Sequence, residues 1–131
     1  MRSKDSYSVL LIRLGLGAVF MLFGYDKLPH PESWIIYYPP QFSRLVPLPP
    51  IECLKLQGVG ETLLGAALML GFMTRLSACL AAVMLTLIIY FVGWDPVAIR
   101  DGGLLFAALS LVLSGGGSWS VDAFLTRIEK P

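Results

Sequence analysis

The sequence predicts an all-α integral membrane protein: a four-helix bundle with one long outer loop and a short C-terminal amphipathic helix. Three observations carry this. Of 131 residues, 56% are hydrophobic and only 15% charged, and the mean hydropathy is +0.71; a soluble domain carries about a quarter charged residues. Four apolar stretches, residues 9–28, 51–72, 76–94 and 96–113, each have about the 17–25 residues needed to cross a hydrocarbon core of roughly 30 Å. Period-2 alternation, the mark of a transmembrane barrel, is absent. Residues 1–131 read as one membrane domain.

The first stretch follows "MRSKDSYS", basic enough for the start of a signal peptide. No small-x-small cleavage site follows, and the chain runs on into "GYDKLPHP", so the stretch is expected to be a retained helix. The connection 29–50 holds seven prolines and the aromatics Trp34, Tyr37, Tyr38 and Phe42. A loop of that length is functional or has structure of its own. Its "PESWIIYY" reads as a short helix opening at Pro31 and lying at the membrane–water interface, where Trp and Tyr collect.

"GFMTR" joins the second and third stretches, with Thr74 as the expected N-cap and Ser77 at N3. "GWDP" joins the third and fourth, with Asp95 as N-cap and Pro96 at N1. After the fourth, "SGGGS" stops the helix. In the tail, residues 120–129, Val121, Phe124, Leu125 and Ile128 fall on one apolar stripe. Asp122 at its start and Lys130 near its end suit the helix macrodipole. This helix is expected to lie on the membrane or to dock a partner.

Lysine and arginine placement sets the expected orientation. Arg2, Lys4, Arg13, Arg75, Arg127 and Lys130 share the side of the termini; Lys27, Arg44, Lys55 and Arg100 share the other. The bias puts both termini in the cytoplasm and the proline-rich loop outside.

Charges within spans are costly, so each is a functional candidate. Glu52 and Lys55, and Asp26 and Lys27, lie near helix ends and read as interface anchors that snorkel. Glu61 does not: counted from Pro50 it is roughly 16 Å into its helix, near the midplane. Its face carries Gln57, Gly58 and Gly65. These glycines let another helix approach, so Glu61 should point into the bundle and be paired, hydrogen-bonded or protonated. Arg13, on a face with Gly17, Gly24 and Lys27, is one candidate partner. Helix side chains lean toward their own N-terminus, which carries Arg13 and Glu61 apart and leaves Arg100 or Lys27 as the alternatives. Gly102 and Gly103 beside Asp101 suggest another close helix contact. Arg100 and Asp101, being adjacent, are not expected to face each other. The set reads either as a structural polar network or as a pocket for a head group or quinone ring.

Other chemistries are excluded or unsupported. A net charge of +1 offers no basic surface for nucleic acid. Cys53 and Cys79 fall on opposite sides of the bilayer, too far apart for a disulfide. One histidine, His30, rules out bis-His haem ligation, and no Cys, His and carboxylate cluster has metal-site spacing. "GVGETLLG" lacks the Gly-Lys-Ser/Thr of a phosphate loop.

Three motifs, in order, carry a resemblance. The first stretch reads "IRLGLGAVFMLFGYDKL", with Arg13, Gly24 and Lys27. The second reads "GETLLGAALMLGFMTR", with Glu61, Gly65 and Arg75. The fourth reads "RDGGLLFAALSLVLSGGGSWSVD", with Asp101, Gly115, Gly117, Ser120 and Asp122. Together they resemble the DoxX family of small bacterial and archaeal four-helix membrane proteins over nearly the whole chain. The resemblance implies a cytoplasmic-membrane location and a redox setting, since family members are associated with terminal-oxidase and thiosulfate:quinone oxidoreductase complexes. It supplies no agreed catalytic residue; the motif positions carried over are Arg13, Lys27, Glu61, Arg75 and Asp101. The stretch "WIIYYPPQFSRLVPLPP" departs from the family pattern.

The expectation is a small accessory or structural subunit of a respiratory or redox complex, not catalytic alone, helping to form a quinone site. Its cofactor would be a quinone held without a covalent bond, and its partners the lipid bilayer and other membrane subunits. Glu61, Arg13, Gln57, Asp101, Arg100 and Lys27 are the polar-core candidates, and Gly17, Gly24, Gly58 and Gly65 the helix-contact glycines. Trp34, Tyr37, Tyr38, Trp119 and Phe124 are the partner-interface candidates. The alternatives are a stand-alone carrier of a small amphiphile and an assembly factor.

Overall fold

The structure, a computed structural model, describes residues 3–129. The residues Arg2 and Lys130 and the Lys4 side chain, which bear on the expected orientation, lie outside the described part. Helix α1 spans Ser3–Asp26, a 3-10 helix Pro31–Tyr37, α2 Phe42–Leu45, α3 Pro50–Leu70, α4 Thr74–Val92, α5 Pro96–Ser114 and α6 Val121–Ile128. Four of these, α1, α3, α4 and α5, are long and apolar enough to cross a membrane. Large side chains such as Leu11, Leu63, Phe106 and Leu113 stand outward, as lipid-facing residues of a span do.

The bundle is built from two tight pairs. Helix α1 packs chiefly on α3, and α4 on α5. The first pair is joined at glycines. A Cβ on Gly24 would sit 2.6 Å from the Thr62 nitrogen and 2.7 Å from the Gly58 oxygen; one on Gly65 would sit 2.5 Å from the Gly17 oxygen. Without side chains there, the backbones meet directly, which is how helices gain packing energy in lipid. In the second pair small residues do the same: Ala78, Ala81, Ala82, Ala98 and Ala108 are buried. Leu16, Phe20, Leu68, Leu85 and Leu111 fill the space between the pairs. A Cβ on Gly102 or Gly103 would meet nothing within 4 Å. These two form no close helix contact, because α5 turns that face away from its neighbours.

The α3–α4 turn ends α3 at Gly71, in the left-handed region at φ 71°, with Phe72 N–H donating to the Ala67 carbonyl at 2.9 Å, a Schellman closure. Thr74 is not the N-cap of α4. Met73 holds that place, at φ 45°, and the cap comes from far along the chain. Asp122 accepts from Met73 N–H at 2.7 Å, Thr74 N–H at 2.8 Å and the Thr74 hydroxyl at 2.7 Å. A carboxylate satisfies two orphan amides where a Thr hydroxyl satisfies one. Asp95 does cap α5, accepting from Val97 N–H at 2.9 Å.

Candidate functional site

Two polar centres lie inside the apolar bundle, one at each end. At the end that carries the termini, Arg13 is 1% exposed. It does not reach Glu61. Its guanidinium donates to four backbone carbonyls: Leu68 at 3.0 Å, Met69 at 3.1 Å, Trp119 at 2.8 Å, and Gly116. Leu68 and Met69 are among the last carbonyls of α3, which lack an i+4 N–H within the helix and lie where the macrodipole is negative; the Leu68 carbonyl also accepts from the closing Gly71 N–H at 3.2 Å. Arg13 therefore leans toward its own N-terminus, as helical side chains do, and finds its acceptors there. The other two carbonyls belong to the segment after α5, so one side chain ties α1, α3 and the tail together. Ser120 caps α6 by accepting from Ala123 N–H at 3.1 Å, and Asp122 N–H donates to the Gly71 carbonyl at 3.1 Å.

At the loop end, Glu61 is 3% exposed. One carboxylate oxygen pairs with Lys27 Nζ, and the other accepts from Gln57 Nε2 at 2.8 Å. Lys27 is thus not a snorkelling anchor. It is buried because the 3-10 helix folds back over it: the Trp34 ring centre lies 4.4 Å from Lys27 Nζ, and the Trp34 indole N–H donates to Asp26 at 2.9 Å. Asp26 stays exposed. Arg100 and Asp101 also meet, against expectation. Arg100 Nε and Nη2 both donate to Asp101 Oδ1, at 3.0 and 2.9 Å. The Arg side chain is long enough to curl around the helix, so neighbours on different faces can still bond. Its guanidinium also lies 4.9 Å from the Phe23 ring centre.

These groups share a cavity of about 450 Å³ between the two helix pairs. Lys27, Gln57, Glu61, Arg100 and Asp101 supply its polar lining, Phe23, Trp34, Tyr37, Tyr38, Phe42 and Phe91 its aromatic lining, and Leu54, Leu85 and Leu104 are among the aliphatic residues. The loop is a roof held by ring contacts, Phe23–Trp34 at 5.4 Å and Phe42–Phe91 at 5.0 Å. Each cation is neutralised by its own carboxylate, so the wall carries no net charge. Hydrogen-bonding capacity is left over. Both guanidinium bonds go to Asp101 Oδ1, leaving Oδ2 without a donor among the described residues. Tyr38 Oη is buried with no well-formed hydrogen bond. The Cys53 thiol beside it, with burial, pushes the phenol above its ordinary range, so Tyr38 stays a neutral donor.

The candidates therefore divide. Glu61, Gln57, Lys27, Arg100 and Asp101 come together around the cavity, and Arg13 stands apart at the other end. Gly17 and Gly24 of α1 face Gly65 and Gly58 of α3. Trp34, Tyr37 and Tyr38 line the cavity. Trp119 and Phe124 remain exposed at the other end, Trp119 stacking on Tyr7 at 6.2 Å. Cys53, on the cavity wall, has no sequence context that singles it out; a lone thiol carries no spacing signal. Cys53 and Cys79 are both free. Among the described residues no group of three or more His, Cys, Asp or Glu gathers as metal ligands would.

Comparison with known proteins places the chain. The DoxX family model matches residues 8–94, more than half of the chain. The chain is 29% identical over 137 residues to the uncharacterized membrane protein Rv3486 of Mycobacterium tuberculosis (strain ATCC 25618 / H37Rv), across 92% of this chain and 82% of that protein. No solved structure matches.

Proposed function

We propose that this chain, which belongs to the DoxX family of membrane proteins, holds a small neutral amphiphile in the cavity at its loop end and does so as an accessory subunit of a membrane redox complex. A quinone ring is the candidate head group. The observation that carries this reading is the composition of the cavity wall: two self-neutralised ion pairs and two open hydrogen-bonding atoms under an aromatic roof. A charged ligand would find no counter-charge there. A flat ring gains stacking on Trp34 and Phe42, and a few placed polar groups orient it, as in small-molecule sites generally. Tyr38 Oη offers a donor to a ring carbonyl. Asp101 Oδ2 offers an acceptor to a ring hydroxyl.

The test is calorimetric titration of the purified chain in mild detergent with a short-chain quinone and its reduced form. Saturable binding at one site per chain, weakened by Trp34→Ala and by Asp101→Asn, supports the reading. A folded chain that binds neither form overturns it. The same detergent extract, analysed by mass spectrometry, tests the subunit role. Stoichiometric oxidoreductase subunits support it, and a stable chain recovered alone turns the reading to a stand-alone carrier.

A further inference from the structure

We infer that the cavity takes its ligand sideways from the bilayer, through a gap between α3 and α4 flanked by Leu56 and Leu87, and that this gap seats an alkyl tail. The inference rests on the reading of the cavity as a binding site and adds a subsite and a class of ligand to it: an amphiphile dissolved in the membrane, with its head inside the bundle and its chain left in the gap.

Four observations lead there. Leu56 and Leu87 both line the cavity, yet they are 65% and 45% exposed. A side chain that borders both an interior space and the outer surface stands at an opening. The two residues also match in depth. Leu56 lies six residues into α3 from Pro50, and Leu87 five residues before the end of α4 at Val92. At a rise of 1.5 Å per residue these are roughly 9 and 7.5 Å from their helix ends, inside a half-bilayer of about 15 Å. The opening therefore faces hydrocarbon.

The helices that flank the gap are neighbours that belong to different tight pairs. A tight turn joins α3 to α4, but α3 packs mainly on α1 and α4 mainly on α5. They are joined at the Gly71–Met73 turn, and each is held mainly by its own partner, which leaves the seam between them lightly packed. On the loop side Tyr37 and Leu48 also line the cavity and are exposed, but that side is tied down by its own contacts. Trp34 is fastened to Asp26, and Phe42 rests on Phe91.

The experiment compares two probes in lipid nanodiscs: a hydroquinone ring bearing a ten-carbon chain, and the same ring without it. Trp is placed at both jambs, Leu56→Trp with Leu87→Trp. A control carries Leu63→Trp, an exposed α3 position away from the cavity. The double variant should lose tenfold or more in affinity for the alkylated probe, while the bare ring, which leaves the gap empty once seated, should keep its equilibrium affinity and reach it more slowly. The control should bind both probes normally. Unchanged binding of the alkylated probe to a folded double variant overturns the lateral opening but leaves the head-group site standing. Equal loss of both probes overturns the tail subsite too, since the substitutions would then be disturbing the head site. Failure of both probes to bind the unmodified chain removes the site and the opening together. An alkyl glycerol binding as well as the alkylated ring would keep the opening and refute the aryl head group.

Discussion

Lys27 Nζ donates to a carboxylate oxygen of Glu61 within the bundle, and both side chains are more than nine-tenths buried, at 7% and 4% exposure. Glu61 holds Gln57 with its other oxygen, so both carboxylate oxygens are engaged. Removing one charge leaves the other buried alone, which costs about 3–5 kcal/mol. Glu61→Ala should therefore lower unfolding stability in detergent by about that amount. Glu61→Gln keeps a hydrogen-bond acceptor and should lose less. The joint change Lys27→Met with Glu61→Leu should recover most of the stability, since a hydrophobic pair of similar volume is often neutral or better. Equal stability of Glu61→Ala and the unmodified chain would show that Lys27 finds water or another partner.

The glycine contacts make a second, position-specific expectation. Gly24→Ala and Gly65→Ala place a methyl 2.5–2.9 Å from backbone or Cβ atoms of the facing helix. The α1–α3 pair must then separate, at a cost of about 1–3 kcal/mol. Gly60→Ala and Gly103→Ala meet nothing within 4 Å, and should stabilise their helices by up to about 1 kcal/mol. Denaturation in mixed detergent would read all four; a uniform response would argue that helix propensity, not helix contact, governs these sites.

Arg13→Lys is expected to behave as a severe change. A lysine cannot present a planar fork to four carbonyls, and each hydrogen bond to a charged donor is worth about 1.5–3 kcal/mol. The loss should be about 3 kcal/mol or more, and it should free the tail, because two of the carbonyls, Gly116 and Trp119, lie after α5. Limited trypsin digestion would show faster cleavage after Arg127 in the variant. Cleavage at the unmodified rate would mean that Ser120 and Asp122 hold the tail unaided.

Asp122→Ala removes the remote cap of α4. Loss of a cap costs about 0.5–2 kcal/mol, and here two amides and the Thr74 hydroxyl lose their acceptor together. A Thr74→Val, Asp122→Ala double variant should lose less than the sum of the two single changes, because the residues share one interaction. Additive losses would show that Thr74 and Asp122 act separately.

The membrane-spanning character of the chain is legible without coordinates, because composition and helical length report directly how each stretch partitions between lipid and water. So is the interior position of Glu61, read from the glycines around it. Its partner is not. Lys27 sits at the end of α1, where a lysine ordinarily reaches water, and local sequence gives no sign that Trp34 will fold over it. Arg13 has the same character: its acceptors are carbonyls, which every residue carries and no pattern marks. The neighbours Arg100 and Asp101 bond because a long side chain can bend around its helix, which counting faces does not allow for.

Residue order alone was enough to mark the segments that cross the bilayer, the start of α5 at Asp95 and Pro96, and the amphipathic stripe of the tail. Those are properties of a residue and its near neighbours: burial preference, propensity and capping over a few positions. It took the assembled bundle to pair Lys27 with Glu61, to gather four carbonyls on Arg13, to bring Asp122 to the start of a helix some fifty residues before it, and to roof a cavity with the loop. A charge in a membrane protein is satisfied by whatever group the fold brings within about 3 Å, and that proximity depends on how two helix pairs meet and how a proline-rich loop folds back, neither of which any short stretch of sequence encodes.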